Sequence, residues 1–282
     1  IITNISYAHA KNFKNIKQIA LAKSEIINNI NDGGIIVLNA DDQFFNLHKK
    51  IALKRNLKIY TFSTTKKSSI RLNYIKKEKQ KFKISVVVGN KNKYFYISFN
   101  FENYIKNLLA AITIISIFKD ITKLDKNIFY NFEAPKGRGD ISRIKIRNKN
   151  IFLVDESYNS NPLSLKSAIK NFNSIKTLNK KHMVLGDMLE LGKHSKILHK
   201  KMSTIINSTS IDKVNVLGKH IKETYKNINI KKKGLILKEN SQIFDLIKNN
   251  INNNDYLMIK GSNSTGLYSL VNSLKKGNMH AL

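Results

Sequence analysis

The sequence predicts an α/β protein with two regions of different pattern. In the second region, short apolar runs alternate regularly with helical segments, as in a parallel sheet covered by helices on both faces. In the first region, a similar alternation is followed by short runs around Gly89-Asn90, which indicates an antiparallel hairpin. We therefore expect a domain with a mixed or parallel sheet and helices, followed by a Rossmann-like α/β domain.

The first region begins with a periodic helix and continues with a buried strand. Over residues 15–30, the apolar positions on one helical face are Ile16, Ile19, Ala20, Ile26, Ile27 and Ile30. The continuous apolar run over 35–38, which ends at Asn39, is typical of a buried parallel strand. The other predicted elements are a helix (43–55), a strand (58–62), two hairpin strands (84–88 and 94–99) and an apolar helix (102–118).

A segment with glycine and proline separates the two regions. It contains Pro135, Gly137 and Gly139, and we place the domain boundary between residues 1–132 and 133–282. The strands predicted after it are 151–155, 182–186, 213–217, 234–237 and 256–260, and the helices are 162–174, 194–207, 219–227, 240–250 and 264–275. This regular alternation predicts parallel neighbouring strands.

Composition narrows the possible functions. The 282 residues include no cysteine, which excludes a disulfide framework and a thiolate metal site. No apolar run approaches the roughly 20 residues that span a bilayer, and no leader pattern precedes the first predicted element. We therefore expect a cytoplasmic protein.

The net charge of +31 leaves two interpretations open. A basic surface would suit a nucleic-acid-binding α/β protein. The lysines are spread along the chain, however, and Lys, Asn and Ile all have A/T-rich codons, so biased gene composition would produce the same excess. We favour the second interpretation and expect only nonspecific, salt-sensitive binding to polyanions.

The most informative segment is the polar loop after the apolar run 151–154. Asp155 ends the predicted strand, and the loop leads to Asn161-Pro162, an N-cap followed by proline at the first helical position. Ligands of open parallel sheets bind where strands end and helices begin. The loop is therefore predicted to contact a nucleotide or a peptide-like substrate.

Two further segments follow predicted strands at the same edge of the sheet. Residues 185–192 contain Asp187 and Leu189, and residues 260–264 begin with Lys260. Either segment alone would be interpreted as an ordinary strand-to-helix turn. Three polar loops at one edge favour a binding site.

Four other positions admit a functional interpretation. Arg138, between two glycines, suits phosphate oxygens. Asn39 is either a turn residue or a partner for the edge of a base. Lys23 either packs its stem on the core with its ammonium in water, or faces inward and is open to modification. His9 is either a surface or core residue or a metal ligand.

Taken together, these segments resemble those of the Mur ligase family. The resemblance is carried by residues 2–9, 19–26, 38–42, 136–139, 155–162, 185–192 and 260–262, which occur in family order. The strings Ser-Tyr-Asn-Ser-Asn-Pro and Gly-Asp-Met-Leu-Glu-Leu-Gly point to the branch whose amine substrate is D-alanyl-D-alanine.

The resemblance implies an enzyme, an ATP-dependent ligase of peptidoglycan precursor synthesis. ATP would phosphorylate the terminal carboxylate of UDP-N-acetylmuramoyl-tripeptide, and the amine of D-Ala-D-Ala would attack the acyl phosphate, with Mg²⁺ neutralising phosphate charge. The partners would be these small molecules, and the enzyme a cytoplasmic monomer. Another ligase of the superfamily, such as a folylpolyglutamate synthase, remains an alternative.

The resemblance also implies a role for each candidate residue. Lys23 would be carbamylated and would bind Mg²⁺ together with His9. The implied ATP contacts are Asn39, Arg138, Asp155 and Tyr158, and the implied substrate contacts are Asn159, Asn161, Asp187, Leu189 and Lys260.

One family motif is missing from the sequence. The phosphate loop Gly-x-x-Gly-Lys-Thr/Ser does not occur in the 282 residues. The resemblance therefore covers the later part of the central ATPase domain and the whole C-terminal domain. We expect the isolated chain to be catalytically inactive.

Overall fold

The computed structural model describes residues 1–98, 102–133 and 135–277, and the chain divides into two compact units. The first unit consists of Ile1–Ser6 and Phe13–Glu133, and the second of Tyr7–Asn12 and Ala134–Leu282. Each unit has its own sheet. The short segment Tyr7–Asn12 thus belongs with the second unit, although it lies near the start of the chain.

The first unit is built on a five-stranded mixed sheet. Its elements are α1 (Ile16–Asn28), β1 (Ile35–Asn39), α2 (Phe45–Lys54), β2 (Lys58–Ser63), β3 (Ile70–Glu78), β4 (Lys81–Val88), β5 (Lys91–Ile97) and α3 (Glu102–Phe118). The strand order is β1-β2-β3-β4-β5, parallel up to β3 and antiparallel beyond it. The expected hairpin is thus part of a three-stranded meander whose first strand, β3, was not predicted. Residue 99, the end of a predicted strand, lies outside the described residues.

Helix α1 buries a narrower face than its sequence pattern predicts. Ala20, Ser24 and Ile27 lie on the buried face, whereas Ile26 is 50% exposed. Burial of Ser24 is possible because its hydroxyl donates to the carbonyl oxygen of Leu21 (2.6 Å). Lys23 is exposed, which agrees with the interpretation that places its ammonium in water.

The second unit is built on a six-stranded sheet. Its elements are β6 (Asp140–Ile146), β7 (Lys149–Asp155), α4 (Pro162–Ser174), β8 (Lys181–Gly186), α5 (Ser195–Asn207), β9 (Lys213–Leu217), α6 (Lys222–Asn227), β10 (Lys233–Leu237), α7 (Gln242–Asn250), β11 (Tyr256–Lys260) and α8 (Leu267–Lys275). The order is β10-β9-β8-β11-β7-β6, and only β6, an edge strand missing from our predictions, runs antiparallel to its neighbour. The Rossmann-like α/β prediction is confirmed.

The position of β11 brings three loops together. This strand lies between β7 and β8, with Ile259 paired to Asp155 and Lys260 paired to Leu185. Because the three strands are parallel, the loops after β7, β8 and β11 leave from the same edge of the sheet. Within the described part of the chain, no helix has the length and apolar character needed to cross a membrane.

Candidate functional site

The loop between β7 and α4 is fixed at both of its ends. At its start, Asp155 Oδ1 accepts hydrogen bonds from the Ser157 amide (3.0 Å) and hydroxyl (2.5 Å). At its end, Asn161 Oδ1 accepts from the Ser164 amide (2.9 Å), and Ser164 Oγ accepts from the Asn161 amide (3.0 Å). Pro162 follows as the first helical residue, where a missing N–H costs nothing. The loop is therefore shaped by its own side chains.

Asp155, a predicted ATP contact, is completely buried. While its Oδ1 holds Ser157, its Oδ2 lies 2.6 Å from the ammonium nitrogen of Lys275. Both oxygens thus have partners within the protein. Contact of Asp155 with ATP stays a prediction, and a ligand hydroxyl would have to share or displace these partners.

Arg138 and Tyr158, two other predicted ATP contacts, lie side by side. The Arg138 guanidinium is 4.7 Å from the centroid of the Tyr158 ring, a cation–π arrangement. The Tyr158 amide donates to the carbonyl oxygen of Gly137 (3.2 Å). Gly137 has φ +77°, and a Cβ added there would lie 2.8 Å from Cβ of Tyr158, so this approach requires glycine. The structure thus places Arg138 beside the loop that begins at Asp155 and contains Tyr158.

Lys260, a predicted substrate contact, is 2% exposed and contacts the loop between β7 and α4. Its ammonium donates to the carbonyl oxygen of Asn159 (2.9 Å) and contacts the carbonyl oxygen (3.4 Å) and carboxylate (3.3 Å) of Glu156. Burial lowers the pKa of Lys260, and burial also raises the pKa of Glu156, against the attraction of the ammonium. Contact of Lys260 with substrate stays a prediction, and a ligand would have to share the ammonium with the loop that it holds.

Asp187, also a predicted substrate contact, is buried and caps a neighbouring turn. Its Oδ1 accepts from the Ile221 amide (2.7 Å), and its Oδ2 accepts from the Lys219 amide (3.1 Å). A Cβ added to Gly218, which has φ +132°, would lie 2.6 Å from this carboxylate. Asp187 therefore joins the ends of β8 and β9, and its two oxygens are engaged by backbone amides.

A buried histidine supports the segment after Asp187. His199 Nε2 accepts from the Met188 amide (3.0 Å), and His199 Nδ1 lies 2.8 Å from the carbonyl oxygen of Ser195. A carbonyl oxygen can only accept, so Nδ1 carries the proton and the ring is neutral. Burial, the largest effect, lowers the pKa of His199. The sequence offered no signal for this role, because His199 lies in the middle of a helix.

A polar cavity of about 250 Å³ lies beside these loops in the second unit. It is lined by residues 7–9, 159–161, 189–190 and 262–264. Four of the predicted site residues therefore meet here: His9, Asn159, Asn161 and Leu189. The loops are joined by Ser262, whose Oγ accepts from the Leu189 amide (2.8 Å) and donates to the carbonyl oxygen of Ser160 (3.3 Å).

Two residues at this cavity have an uncommon backbone conformation. His9 (φ 53°) and Glu190 (φ 60°) both lie in the left-handed region, which non-glycine residues rarely adopt. The Glu190 carboxylate lies within hydrogen-bonding distance of Nδ1 of His9. Strained residues of this kind cluster at ligand sites, which makes the pair a candidate for function. Glu190 was not predicted as a site residue, although it lies within the 185–192 segment.

The remaining predicted residues, Asn39 and Lys23, lie in the first unit. Asn39 is buried, its Nδ2 donates to the carbonyl oxygen of Thr3 (2.8 Å), and its Oδ1 accepts from the Asp41 amide (2.9 Å). It therefore ties the first residues of the chain to the end of β1. Contact of Asn39 with adenine and carbamylation of Lys23 stay predictions.

The donors for a magnesium ion are incomplete. Across residues 1–98, 102–133 and 135–277, no three His, Asp, Glu or Cys side chains come close enough together to hold a metal ion. His9 and Glu190 form only a pair. Since Mg²⁺ requires an octahedral set of mostly oxygen ligands, these side chains alone do not form its site.

Comparison with known proteins identifies both parts of the chain. The model of the Mur ligase middle domain matches residues 1–115, and the model described as Mur ligase, glutamate ligase domain matches residues 142–263. The UDP-N-acetylmuramoyl-tripeptide–D-alanyl-D-alanine ligase of Rickettsia prowazekii is 28% identical over 274 residues, which is 96% of this chain and 60% of the relative. The ligase of the same name from Buchnera aphidicola subsp. Baizongia pistaciae is 32% identical over 282 residues, which is 98% of this chain and 58% of the relative. The chain therefore spans about three fifths of these relatives' length.

Solved structures show the same fold. MurF from Acinetobacter baumannii superimposes with a TM-score of 0.81 at 21% identity, covering 98% of this chain and 59% of that one. MurF from Thermotoga maritima, solved in complex with ADP, gives 0.78 at 18% identity, covering 98% of this chain and 61% of that one. With both domain models matched in succession and relatives aligned over nearly its whole length, the chain belongs to the Mur ligase family.

Proposed function

We propose that this chain forms part of an ATP-dependent ligase that joins D-alanyl-D-alanine to UDP-N-acetylmuramoyl-tripeptide. Residues 1–132 would be the later part of its ATP-binding domain, and residues 133–282 its C-terminal domain. The observation that carries the proposal is the cavity in which the loops after β7, β8 and β11 meet. The relatives that align with nearly the whole chain bear the name of this ligase.

The proposed reaction has two steps. The γ-phosphoryl group of ATP passes to the terminal carboxylate of the tripeptide, which gives an acyl phosphate and ADP. The amine nitrogen of D-Ala-D-Ala then attacks the acyl carbon, the C–O bond to phosphate breaks, and the nitrogen loses a proton. Such reactions depend mainly on positioning and on charge neutralisation.

The nucleotide would bind at the loop after β7. Arg138 would neutralise phosphate charge, and its contact with the Tyr158 ring holds the guanidinium in place before the ligand arrives. Asp155 would act on the ribose if it exchanges one of its present partners. Contact of Asn39 with adenine stays a separate prediction for the first unit, and its amide would have to share or exchange its bonds to Thr3 and Asp41.

The dipeptide would bind in the cavity. Asn159, Asn161 and Leu189 line it, and Ser160, which is 4% exposed, has a hydroxyl with no hydrogen-bond partner in the described part of the chain. An unsatisfied buried hydroxyl is costly, so a polar ligand that bonds to it would gain affinity. A small polar dipeptide suits these residues better than an apolar ligand. Asp187 and Lys260 would hold the turn and the loop around the substrate, and their direct contact with it stays a prediction.

Magnesium and the carbamylated lysine complete the proposal. When bound, Mg²⁺ would neutralise charge on the phosphates. His9 and the carbamate of Lys23 each stay a predicted ligand of the ion, and further oxygen ligands would be needed. Carbamylation can be tested directly: ¹³C NMR with labelled bicarbonate should give a carbamate signal in the wild-type chain that is lost in Lys23→Arg. An identical signal in both proteins would remove Lys23 from the proposal.

The proposed substrates indicate a location for the enzyme, and its assembly is a separate proposal. Nucleotide-linked precursors and ATP are cytoplasmic compounds, so we propose a cytoplasmic enzyme, which acts as a monomer. Sedimentation of the purified chain would test the second statement, and a stable dimer at micromolar concentration would contradict it.

Binding experiments test the proposed function without requiring turnover. Calorimetry should detect ADP binding, which Arg138→Ala weakens by about tenfold and the matched control Arg143→Ala leaves unchanged. Saturation-transfer NMR should detect D-Ala-D-Ala but not its N-acetylated form, which lacks the reacting amine. If neither ADP nor the dipeptide binds, the proposal fails. ADP release by residues 1–282 with all three substrates would contradict the expected inactivity of the isolated chain.

A further inference from the structure

Two carboxylates face each other at the end of the β6–β7 pair. Asp140, the first residue of β6, is directly opposite Asp155, the last residue of β7. Asp155 is completely buried, and the Asp140 side chain is 25% exposed. Like charges on directly opposite residues destabilise a sheet, and burial strengthens their repulsion. This arrangement therefore needs a cation.

Lys275, in the last turn of α8, supplies that cation. Its ammonium lies 2.6 Å from Asp155 Oδ2 and also donates to Asp140 Oδ2. Although burial opposes the charged form, the hydrogen bonds to both carboxylates raise the pKa of Lys275 above its usual value. A single ammonium thus bridges two acids that are 15 residues apart in sequence and more than 100 residues away from it.

The oxygens that Lys275 does not contact hold the two loops. Asp140 Oδ1 accepts from the Gly137 amide (2.8 Å), next to Arg138. Asp155 Oδ1 accepts from the Ser157 amide (3.0 Å), next to Tyr158. The backbone amides on either side of the Arg138–Tyr158 contact are therefore bonded to the two carboxylates that Lys275 neutralises.

We infer that Lys275 is a positioning residue for the anion-binding loops: its ammonium neutralises the Asp140–Asp155 pair, and the pair in turn fixes the loops that present Arg138 and Tyr158. The identity of the anionic ligand, ATP, rests on the proposed function, whereas the positioning itself does not. Without Lys275, the two carboxylates would repel each other, and the loops would separate. Lys275→Arg would preserve the charge and much of the bridge.

Amide hydrogen exchange measured by NMR tests the positioning in the absence of ligand. Lys275→Met should raise exchange at Gly137 and Ser157 by about tenfold and leave exchange in β9 unchanged. Lys275→Arg should restore part of the protection. The neighbouring exposed lysine provides a matched control, Lys276→Met, which should behave as the wild type. Equal exchange at Gly137 and Ser157 in all four proteins would overturn the inference.

A compensating double variant separates positioning from general destabilisation. In Lys275→Met/Asp140→Asn, one of the two repelling charges is removed, so Ser157 should exchange more slowly than in Lys275→Met alone. If the two substitutions add instead, the repulsion argument is wrong. The same comparison can be made if Lys275→Met folds poorly. Recovery of folding in the double variant would support the inference, and a further loss of folding would contradict it.

ADP affinity connects the positioning to the proposed function. Calorimetry should show about tenfold weaker ADP binding for Lys275→Met, with partial recovery for Lys275→Arg. If the wild-type chain binds no ADP, the proposed nucleotide site fails while the exchange experiment still tests Lys275. If exchange responds to Lys275→Met but ADP affinity does not, Lys275 orders the loops without preparing them for the nucleotide, and the inference is overturned.

Discussion

The ammonium of Lys260 lies 2.9 Å from the carbonyl oxygen of Asn159, so the end of β11 holds the loop that follows β7. The same ammonium pairs with the Glu156 carboxylate at 3.3 Å. Lys260 therefore joins two of the three loops that surround the cavity. Because the pair is buried, its contribution to stability depends on both partners being present.

Replacing Lys260 should be strongly destabilising. In Lys260→Met, the buried Glu156 loses its cation, and the free energy of unfolding should fall by about 3–5 kcal/mol. Urea denaturation would measure this loss, with Lys170→Met, at an exposed position on α4, as the control. Lys260→Met/Glu156→Gln should recover part of the loss because it leaves no unpaired charge. A loss below about 1 kcal/mol would show that the buried pair does not stabilise the loop.

Removing the cap of α4 should have a smaller effect. Asn161→Ala leaves the Ser164 amide without the acceptor that lies 2.9 Å away. The free energy of unfolding should fall by about 1 kcal/mol, and Asn161→Ser should retain most of the stability because a hydroxyl can also cap. Urea denaturation of the wild type, Asn161→Ala and Asn161→Ser would measure these differences in stability. Equal stability of the alanine and serine variants would mean that the cap is unimportant here.

Adding a methyl group at Gly218 should disturb the turn that Asp187 caps. In Gly218→Ala, the new Cβ would meet the Asp187 carboxylate at 2.6 Å, in addition to the strain at φ +132°. Gly33→Ala shares a positive φ but has no atom within 4 Å of the new Cβ. Thermal denaturation should therefore show a greater loss of stability for Gly218→Ala than for Gly33→Ala. The free energy of unfolding of Gly33→Ala should fall by about 1 kcal/mol.

If the two glycine variants lose equal stability, the close approach of Asp187 to the turn is not what requires glycine at position 218. The double variant Asp187→Ala/Gly218→Ala provides a second test. If the two residues interact, its loss of stability should be smaller than the sum of the losses in Asp187→Ala and Gly218→Ala.

The buried His199 should make stability depend on pH. Its pKa in the folded protein is lowered from 6.5, so its stabilising effect is complete above pH 6.5 and is lost as the pH falls towards the folded pKa. The free energy of unfolding should therefore decrease as the pH falls below about 6.5. The pKa of His182 is lowered in the same direction, also chiefly by burial.

The His199 contribution can be isolated by difference. Urea denaturation of His199→Leu should give a lower stability at neutral pH, since the Met188 amide loses its acceptor, and a weaker dependence on pH than the wild type. An unchanged pH dependence in His199→Leu would assign the effect to other groups, with His182 the first to examine.

Local signals were sufficient to predict much of the fold. Asn161-Pro162 predicted the start of a helix that the structure places at Pro162–Ser174, because capping and the fixed φ of proline act within a few residues. Apolar runs predicted the parallel strands of the second sheet for a similar reason, since a strand buried on both faces is apolar along its length. By contrast, the buried face of α1 depends on which side meets the sheet, and periodicity alone assigned Ile26 to that face wrongly.

The sequence by itself determined the fold class, the family and the segments that meet at the cavity. The tertiary structure decided what the polar side chains in those segments do. The polar atoms of Lys260 and Asp187 hold a loop and a turn, which the residue types alone did not indicate, and their contact with substrate stays a prediction. Lys275 gave no local signal, because its partners Asp140 and Asp155 are brought to it only by packing of α8 on the sheet. Residue type and spacing indicate what a side chain can bond to, whereas its actual partners depend on contacts between residues far apart in the chain.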